Sequence, residues 1–339
     1  MNYKHLLRWG SIAGAGALAV AAIGRGRRTR GVAPELHSPM LMMLPTISPT
    51  LVTLARRVMA LAPAAKAPPG VRRSERLVPG DGHRPPVRIV MFERTASSGT
   101  RPALLWIHGG GYVVGTPEQG MAFVSHVLDR IDVAIVSVDY RLAPEHPFPA
   151  PLDDCHAALC WLVEQASDLA IDTKRIAIGG QSAGGGLAAA LVQRAVDSGP
   201  IVPAFQLLVY PMLDAATTAR SDHGESGRFA WTPKSNHFGW ASYLGRDPTM
   251  GDYPDYAVPA QRGDLTGLPP AWIGVGTLDL FHDEDVEYGE RLRDAGVSCV
   301  THVTEGGYHG FDIFKPRADA TLRFYDSMLV ALAGNLGLS

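Results

Sequence analysis

Gly180-Gln181-Ser182-Ala183-Gly184 constrains this chain more than any other stretch. It follows the apolar run Arg175-Ile176-Ala177-Ile178-Gly179 and precedes the small-residue run Gly185-Gly186-Leu187-Ala188-Ala189-Ala190-Leu191. The first run reads as a strand and the second as a helix. A serine flanked by glycines at a strand-to-helix junction is the pattern of a nucleophile elbow. The turn is so tight that only near-absent side chains fit beside the serine. It holds the serine in a strained backbone conformation with Oγ exposed at the C-terminal end of a strand. G-x-S-x-G also occurs in ordinary glycine-rich turns, so the rest of the chain must supply what a reactive serine needs.

A second motif does so. Ala103-Leu104-Leu105-Trp106-Ile107 reads as a buried strand, and His108-Gly109-Gly110-Gly111 follows directly. Acyl transfer requires backbone N–H groups aimed at the oxygen that gains charge, and glycines let the backbone approach without a Cβ in the way. A serine also needs a base, and the base a carboxylate. In this architecture both follow the serine, in the order Ser, Asp or Glu, His. Seven of the 12 histidines precede it. Of the rest, His223 and His237 lie in an irregular aromatic-rich stretch, His282 at a helix start, and His302 inside the predicted strand Val297–Val303. His309 lies in the glycine-rich loop Glu305-Gly306-Gly307-Tyr308-His309-Gly310-Phe311 beyond that strand, from which an imidazole can reach the elbow. The acid is expected at the preceding strand end. Ala271-Trp272-Ile273-Gly274-Val275-Gly276-Thr277 is that strand, and Asp279 follows it. Asp283, Glu284 and Asp285 compete, but they sit where a helix begins and are expected to cap it and complement its dipole.

With these residues in place the chain resembles the hormone-sensitive-lipase-like branch of the α/β-hydrolases, over roughly Val71 to the C-terminus. The resemblance is carried by His108-Gly109-Gly110-Gly111, by Asp139-Tyr140-Arg141-Leu142-Ala143-Pro144-Glu145-His146-Pro147-Phe148-Pro149-Ala150, by the elbow, by Asp279 to Glu284 and by Tyr308-His309-Gly310-Phe311, in the family's order. It implies an α/β-hydrolase fold with a helical cap and a carboxylic ester hydrolase for short to medium acyl chains. Carried over by position, Ser182 is the nucleophile, Asp279 the acid and His309 the base. Gly110, Gly111 and Ala183 supply the oxyanion N–H groups. His108 and Gly109 are supporting, and the Tyr140 to Ala150 segment braces the oxyanion loop. The same fold also hosts binders that have lost a triad member, and lipases and amidases that share the triad. Two departures stand out. The family usually has Asp before the nucleophile, where this chain has Gln181. The family's Asp-Pro-Leu-Arg-Asp-Glu acid segment reads Asp279-Leu280-Phe281-His282-Asp283-Glu284 here.

Apolar residues are 46% of the chain and charged ones 19%, which fits an enzyme with a sizeable core. A formal net charge of −2 excludes the basic domain that a nucleic-acid partner requires. No residue cluster calls for a metal and no loop for a nucleotide or other cofactor, so an ester substrate is the expected partner, with a homodimer left open. The 3 cysteines, Cys155, Cys160 and Cys299, are expected to be buried free thiols. Strand–helix alternation from Val71 onward predicts a mostly parallel sheet with helices on both faces. Val71–Val78 and Val87–Phe92, around Pro79-Gly80-Asp81-Gly82, read as an opening antiparallel pair. The expected organisation is an N-terminal segment over 1–70, core over 71–212, a cap insertion over 213–256 and core again over 257–339. Met40–Met59 reads as two short helices broken by Pro45 and Pro49. Met40, Met42, Met43 and the aromatics of 213–256 are candidates to line an acyl pocket or to fill the cap's own core. The uncharged stretch 10–23 lies between Arg8 and the cluster Arg25-Gly26-Arg27-Arg28-Thr29-Arg30. Weak membrane anchor, signal segment and extra cap helix all remain open for it, and with them a cytoplasmic or membrane-associated location.

Overall fold

The computed structural model describes residues 29–42, 46–61, 67–97 and 99–338. Strand-forming runs separated by turn residues become eight strands of one sheet: β1 (Val71–Val78), β2 (Val87–Arg94), β3 (Arg101–Ile107), β4 (Ala134–Val138), β5 (Ile171–Gln181), β6 (Phe205–Val209), β7 (Ala271–Gly276) and β8 (Cys299–Thr304). Their spatial order is β1-β2-β4-β3-β5-β6-β7-β8. The opening pair is antiparallel as expected, with Val78 opposite Val87, and β2 also runs antiparallel to β4. From β4 to β8 every pairing is parallel. Strands β3, β4 and β6 are buried along their whole length, which is why they read as continuous apolar runs rather than alternating ones.

Successive side chains of a strand point to opposite faces, so each strand feeds two cores. Leu105, Ile107, Ile176 and Ile178 pack on one face with the helices Ala150–Glu164 (α3), Ala183–Ser198 (α4) and His282–Asp294 (α6). Leu104, Trp106 and Ala177 pack on the other with the helices Met121–Leu128 (α2) and Asp319–Asn335 (α8). The chain leaves β3 toward β4 and then returns past β3 to β5. The crossover direction therefore reverses at the β3/β5 junction, the switch point at which open α/β sheets place their ligand sites. His108 follows β3 there, and Ser182 follows β5.

The segment before 70 contains a 3-10 turn, Pro39–Met42, and the helix Pro49–Leu61 (α1). Two short helical pieces are thus observed, and the second begins at Pro49, where proline's missing N–H costs nothing. Residues 213–256 contain the 3-10 turn Ala215–Ala219 and the helix Pro233–Leu244 (α5), and no strand. Thr232 caps α5 by accepting from Ser235 N. The two segments meet where Ile47 N donates to Ser235 Oγ at 3.1 Å. Trp240 and Tyr243 are buried around Tyr112, the latter stacked on it at 4.0 Å, so these two aromatics fill a core. The side chains of Met40, Met42 and Met43 lie outside the described residues, as does the stretch 10–23. Among the described residues no helix is long and apolar enough to cross a membrane.

Candidate active site

Strand β5 ends at Gln181, and the backbone of Ser182 turns sharply, with φ 57° and ψ −122°. This left-handed region costs a non-glycine residue about 1–3 kcal/mol, so the surroundings must hold it. Ser182 N donates to Val209 O at 2.9 Å, and Ser182 O accepts from Gly186 N and Met212 N at 3.0 Å each. The elbow is thus tied to the end of β6 on one side and to its own helix on the other. The elbow glycine Gly184 has a local cause as well: a Cβ there would run into the carbonyl oxygens of Ile107 and His108.

Parallel strands align their C-terminal ends, so loops far apart in sequence converge. Asp279 follows β7 and His309 follows β8. His309 Nδ1 lies 2.9 Å from Asp279 Oδ2 and 3.1 Å from Oδ1, and Nε2 lies 2.9 Å from Ser182 Oγ. A carboxylate acceptor at Nδ1 puts the proton there and leaves Nε2 to accept from the serine hydroxyl. Asp279 is fully buried, and its Oδ1 also accepts from Phe281 N at 3.0 Å. The His309 loop is pinned by Tyr308, whose hydroxyl donates to Leu36 O at 3.1 Å, and by Gly306 N, which donates to Thr277 Oγ1 at 2.9 Å. The structure therefore brings together the serine, acid and histidine read from the sequence. His302 lies on β8 and His282 opens α6, as expected.

The competing acids correct one expectation. The N-cap of α6 is Phe281, without a side-chain cap, and Glu284 and Asp285 do not face solvent. Glu284 reaches across to the chain after β6: it accepts from Leu213 N at 2.9 Å and Asp214 N at 3.1 Å and is bonded to the Thr217 hydroxyl. Burial pushes its carboxyl up to about 8. Asp285 is buried with no partner for either oxygen among the described residues. Burial, then the neighbouring Glu284 and Asp279, push it well above the usual carboxylate range. Asp283 alone behaves as a surface acid, paired with Arg220 at 3.0 Å.

Across from the acid loop, Gly109, Gly110 and Gly111 pass the elbow. The φ angles of Gly110 and Gly111 are 124° and 60°. A Cβ on Gly110 would strike the Val114 carbonyl, and one on Gly111 the Trp231 indole. Neither amide donates to a protein acceptor among the described residues, and Ala183 N, at the first position of α4, is one of the orphan donors of a helix start. The loop is held from beneath. His108 is buried and stacks on Tyr140 at 4.3 Å, while the Tyr140 hydroxyl donates to His108 O at 3.0 Å. Burial lowers the His108 imidazole to about 4, so it is neutral at pH 7. Ala143 N donates to Tyr112 O at 3.0 Å, and Arg56 of α1 donates to Val113 O at 2.7 Å and to Ala143 O.

The family model for the α/β-hydrolase fold matches residues 104–313. The chain belongs to the α/β-hydrolases, in the hormone-sensitive-lipase-like branch. It is 35% identical over 241 residues to esterase LipI of Mycobacterium tuberculosis, covering 69% of this chain and 74% of the relative. It is 34% identical over 243 residues to an ethyl acetate hydrolase of Pseudomonas putida, covering 68% and 72%. A solved bacterial heroin esterase superposes with a TM-score of 0.79 at 36% identity, covering 90% of this chain and 98% of that one.

In this hydrolase Trp231 is the aromatic of the 213–256 segment that reaches the site, its ring centroid 6.2 Å from that of His309. Its indole N–H donates to Asn236 Oδ1 at 3.2 Å. Sequence reasoning did not separate it from Trp240, because an irregular segment has no periodicity to sort inward from outward residues. It also did not single out Tyr210 and Asp312, which flank the imidazole through the end of β6 and the start of a short helix, Phe311–Phe314 (α7). All three cysteines are free, with Cys155 buried and the other two half-buried. Among the described residues no group of three or more His, Cys, Asp or Glu could hold a metal.

Proposed function

We propose that this hydrolase is a serine carboxylesterase working through Ser182, His309 and Asp279 on esters with short to medium acyl chains. The observation that carries the reading is the imidazole of His309, which bridges Ser182 Oγ at 2.9 Å and Asp279 Oδ2 at 2.9 Å, the arrangement a general base requires. Ser182 attacks the ester carbonyl while Nε2 takes its proton. Asp279 holds Nδ1–H and stabilises the imidazolium. The amides of Gly110, Gly111 and Ala183 receive the oxyanion, each typically worth about 3–4 kcal/mol in the transition state. The alcohol leaves with the proton from Nε2, and water repeats the sequence on the acyl-enzyme. No cofactor enters these steps.

The described residues 46–61 and the 213–256 segment form the cap over this site. The Ile47–Ser235 contact and the approach of Trp231 to Gly111 and His309 support that division. Trp231 narrows the space above the oxyanion loop, which favours small acyl groups, and the similarity to an ethyl acetate hydrolase points the same way. Hydrolysis of p-nitrophenyl esters from acetate to long acyl chains, by wild type and Ser182→Ala, tests the reading. Turnover is expected on acetate and butyrate and should fall on the order of 10⁶-fold in kcat in the variant. Wild-type turnover in Ser182→Ala would overturn it.

A further inference from the structure

Gln181 stands immediately before the nucleophile, where the family usually carries a carboxylate. Its side chain is buried and lines a cavity of about 160 Å³ with Trp106, Phe123, Val209, Asp312 and Tyr325. There it begins a polar chain. Gln181 Nε2 donates to the Tyr210 hydroxyl, Tyr210 donates to Asp312 Oδ1 at 2.6 Å, and Tyr325 donates to Asp312 Oδ2 at 3.0 Å. All four side chains are buried.

The chain closes on the base. Asp312 is three residues beyond His309, and the Tyr210 ring meets the imidazole edge-on, with centroids 4.8 Å apart at 64°. Ser182 and Asp279 occupy the two ring nitrogens, and Phe281 and Trp231 pack on the imidazole without charge. Behind Asp279 lies the buried acid Asp285, and beyond Asp312 the Tyr325 ring contacts His126, which faces Asp326. Among the described residues Asp312 is thus a buried carboxyl, besides Asp279, whose charge couples to the imidazole; burial raises it, and the two tyrosine hydroxyls and the His309 charge oppose that rise.

Proton counting links the two ends. Tyr210 has one hydroxyl hydrogen and gives it to Asp312, so its oxygen can only accept from residue 181. An amide at 181 supplies that donor. A carboxylate at 181 would leave two anions facing one proton, and one of them would have to be neutralised.

We propose that Asp312, acting through Tyr210, is a second negative group that positions and supports the His309 imidazolium, and that Gln181 is the donor this placement requires. The inference rests on the reading of Ser182 and His309 as nucleophile and base. The negative charge that the family places just before the nucleophile stands, in this chain, just after the base. As His309 takes the serine proton it becomes a cation, and a buried anion nearby favours that state. Tyr210 and Asp312 touch neither substrate nor the reacting atoms and are positioning residues.

The test is kcat and kcat/KM against pH on p-nitrophenyl acetate, with unfolding midpoints alongside, for wild type, Ser182→Ala, Asp312→Asn, Gln181→Glu and the Gln181→Glu/Asp312→Asn double variant. Asp312→Asn should move the acid limb to lower pH and lower the plateau about tenfold, the effect of one unit of charge interaction. Gln181→Glu should follow wild type at low pH, where its neutral acid donates as the amide did, and fall increasingly below wild type as pH rises and that acid ionises. The double variant moves the carboxylate to 181 and the amide to 312 with the same number of donors, so it should regain most of the lost rate and the wild-type profile. It is isosteric with wild type and remains informative if a single variant folds poorly. Single effects that simply multiply in the double variant, or a wild-type pH profile in Gln181→Glu, would overturn the proposal. An inactive Ser182→Ala beside such a result means that the network alone fails. An active one means that the serine reading itself fails.

Discussion

The two walls of the site are held by different means. The glycine wall, from His108 to Tyr112, proposed to receive the oxyanion, is fixed by shape: glycines with no room for a Cβ, a histidine kept neutral by burial and stacked on Tyr140, and backbone carbonyls taken up by Tyr140 and Arg56. The acid wall, from Thr277 to Asp285, is fixed by charge and proton placement: Asp279 on the imidazole, Glu284 gripping Leu213 to Thr217, and Asp285 buried without a partner among the described residues. A wall that must present neutral N–H groups gains from rigidity, whereas a wall that must stabilise a cation gains from carboxylates. The consequence is that the two should fail differently.

The largest difference is expected at Asp279. Asp279→Asn keeps the shape and removes the charge and the tautomer control, so kcat should drop about 10⁴-fold with the fold intact. A loss below tenfold would mean that Glu284 or Asp285 can substitute for Asp279, and the acid wall would not be organised around one residue. On the opposite wall the effect should come from shape alone. Gly110→Ala drives a methyl into the Val114 carbonyl and displaces an oxyanion donor, for about a 10²–10³-fold loss in kcat. Its pH profile should match wild type; a shifted profile would show that the two walls are not separable in this way.

The smallest effect is on stability and has opposite signs on the two walls. His108 is lowered from 6.5 to about 4, so the unfolded chain binds its proton first. Its contribution is complete above pH 6.5 and fades as pH falls toward 4, by about 3 kcal/mol at 1.36 kcal/mol per unit. Glu284 is raised from 4.5 to about 8, so the folded chain holds a proton that the unfolded chain has released. Its contribution is complete below pH 4.5 and fades as pH rises toward 8. Urea unfolding across this range should show the acid-side loss flattened in His108→Gln and the alkaline-side loss flattened in Glu284→Gln. Curves that stay parallel to wild type would remove the electrostatic distinction between the walls.

Much of this was legible in the sequence where the backbone itself is constrained. Glycines at strand ends mark close approach, so the elbow and the glycine loop after β3 could be read directly, and the order of elements pointed to the aspartate and histidine that converge. The burial of β3, β4 and β6 on both faces likewise shows as unbroken apolar runs. What did not show depends on contacts between ends of elements. Tyr210 reads as the last residue of a strand and Asp312 as an ordinary first-turn acid, although 102 residues apart they are joined by a hydrogen bond. Glu284 reads as a helix cap, but its partners lie 67 to 71 residues earlier. No local spacing encodes such pairs. The departure at Gln181 was visible as a departure, but its meaning required knowing which hydroxyl it faces.

Arg56 gives the N-terminal helix an importance out of proportion to its size. Its guanidinium clasps the Val113 and Ala143 carbonyls and Glu145, next to the glycines of the His108–Gly111 loop. A chain shortened to begin after Leu61 would keep every strand and all three residues of the serine–histidine–aspartate set, yet it would lose the clasp on that loop. The shortest chain that keeps this clasp therefore begins upstream of Arg56, well outside the region that the architecture of the sheet alone would mark.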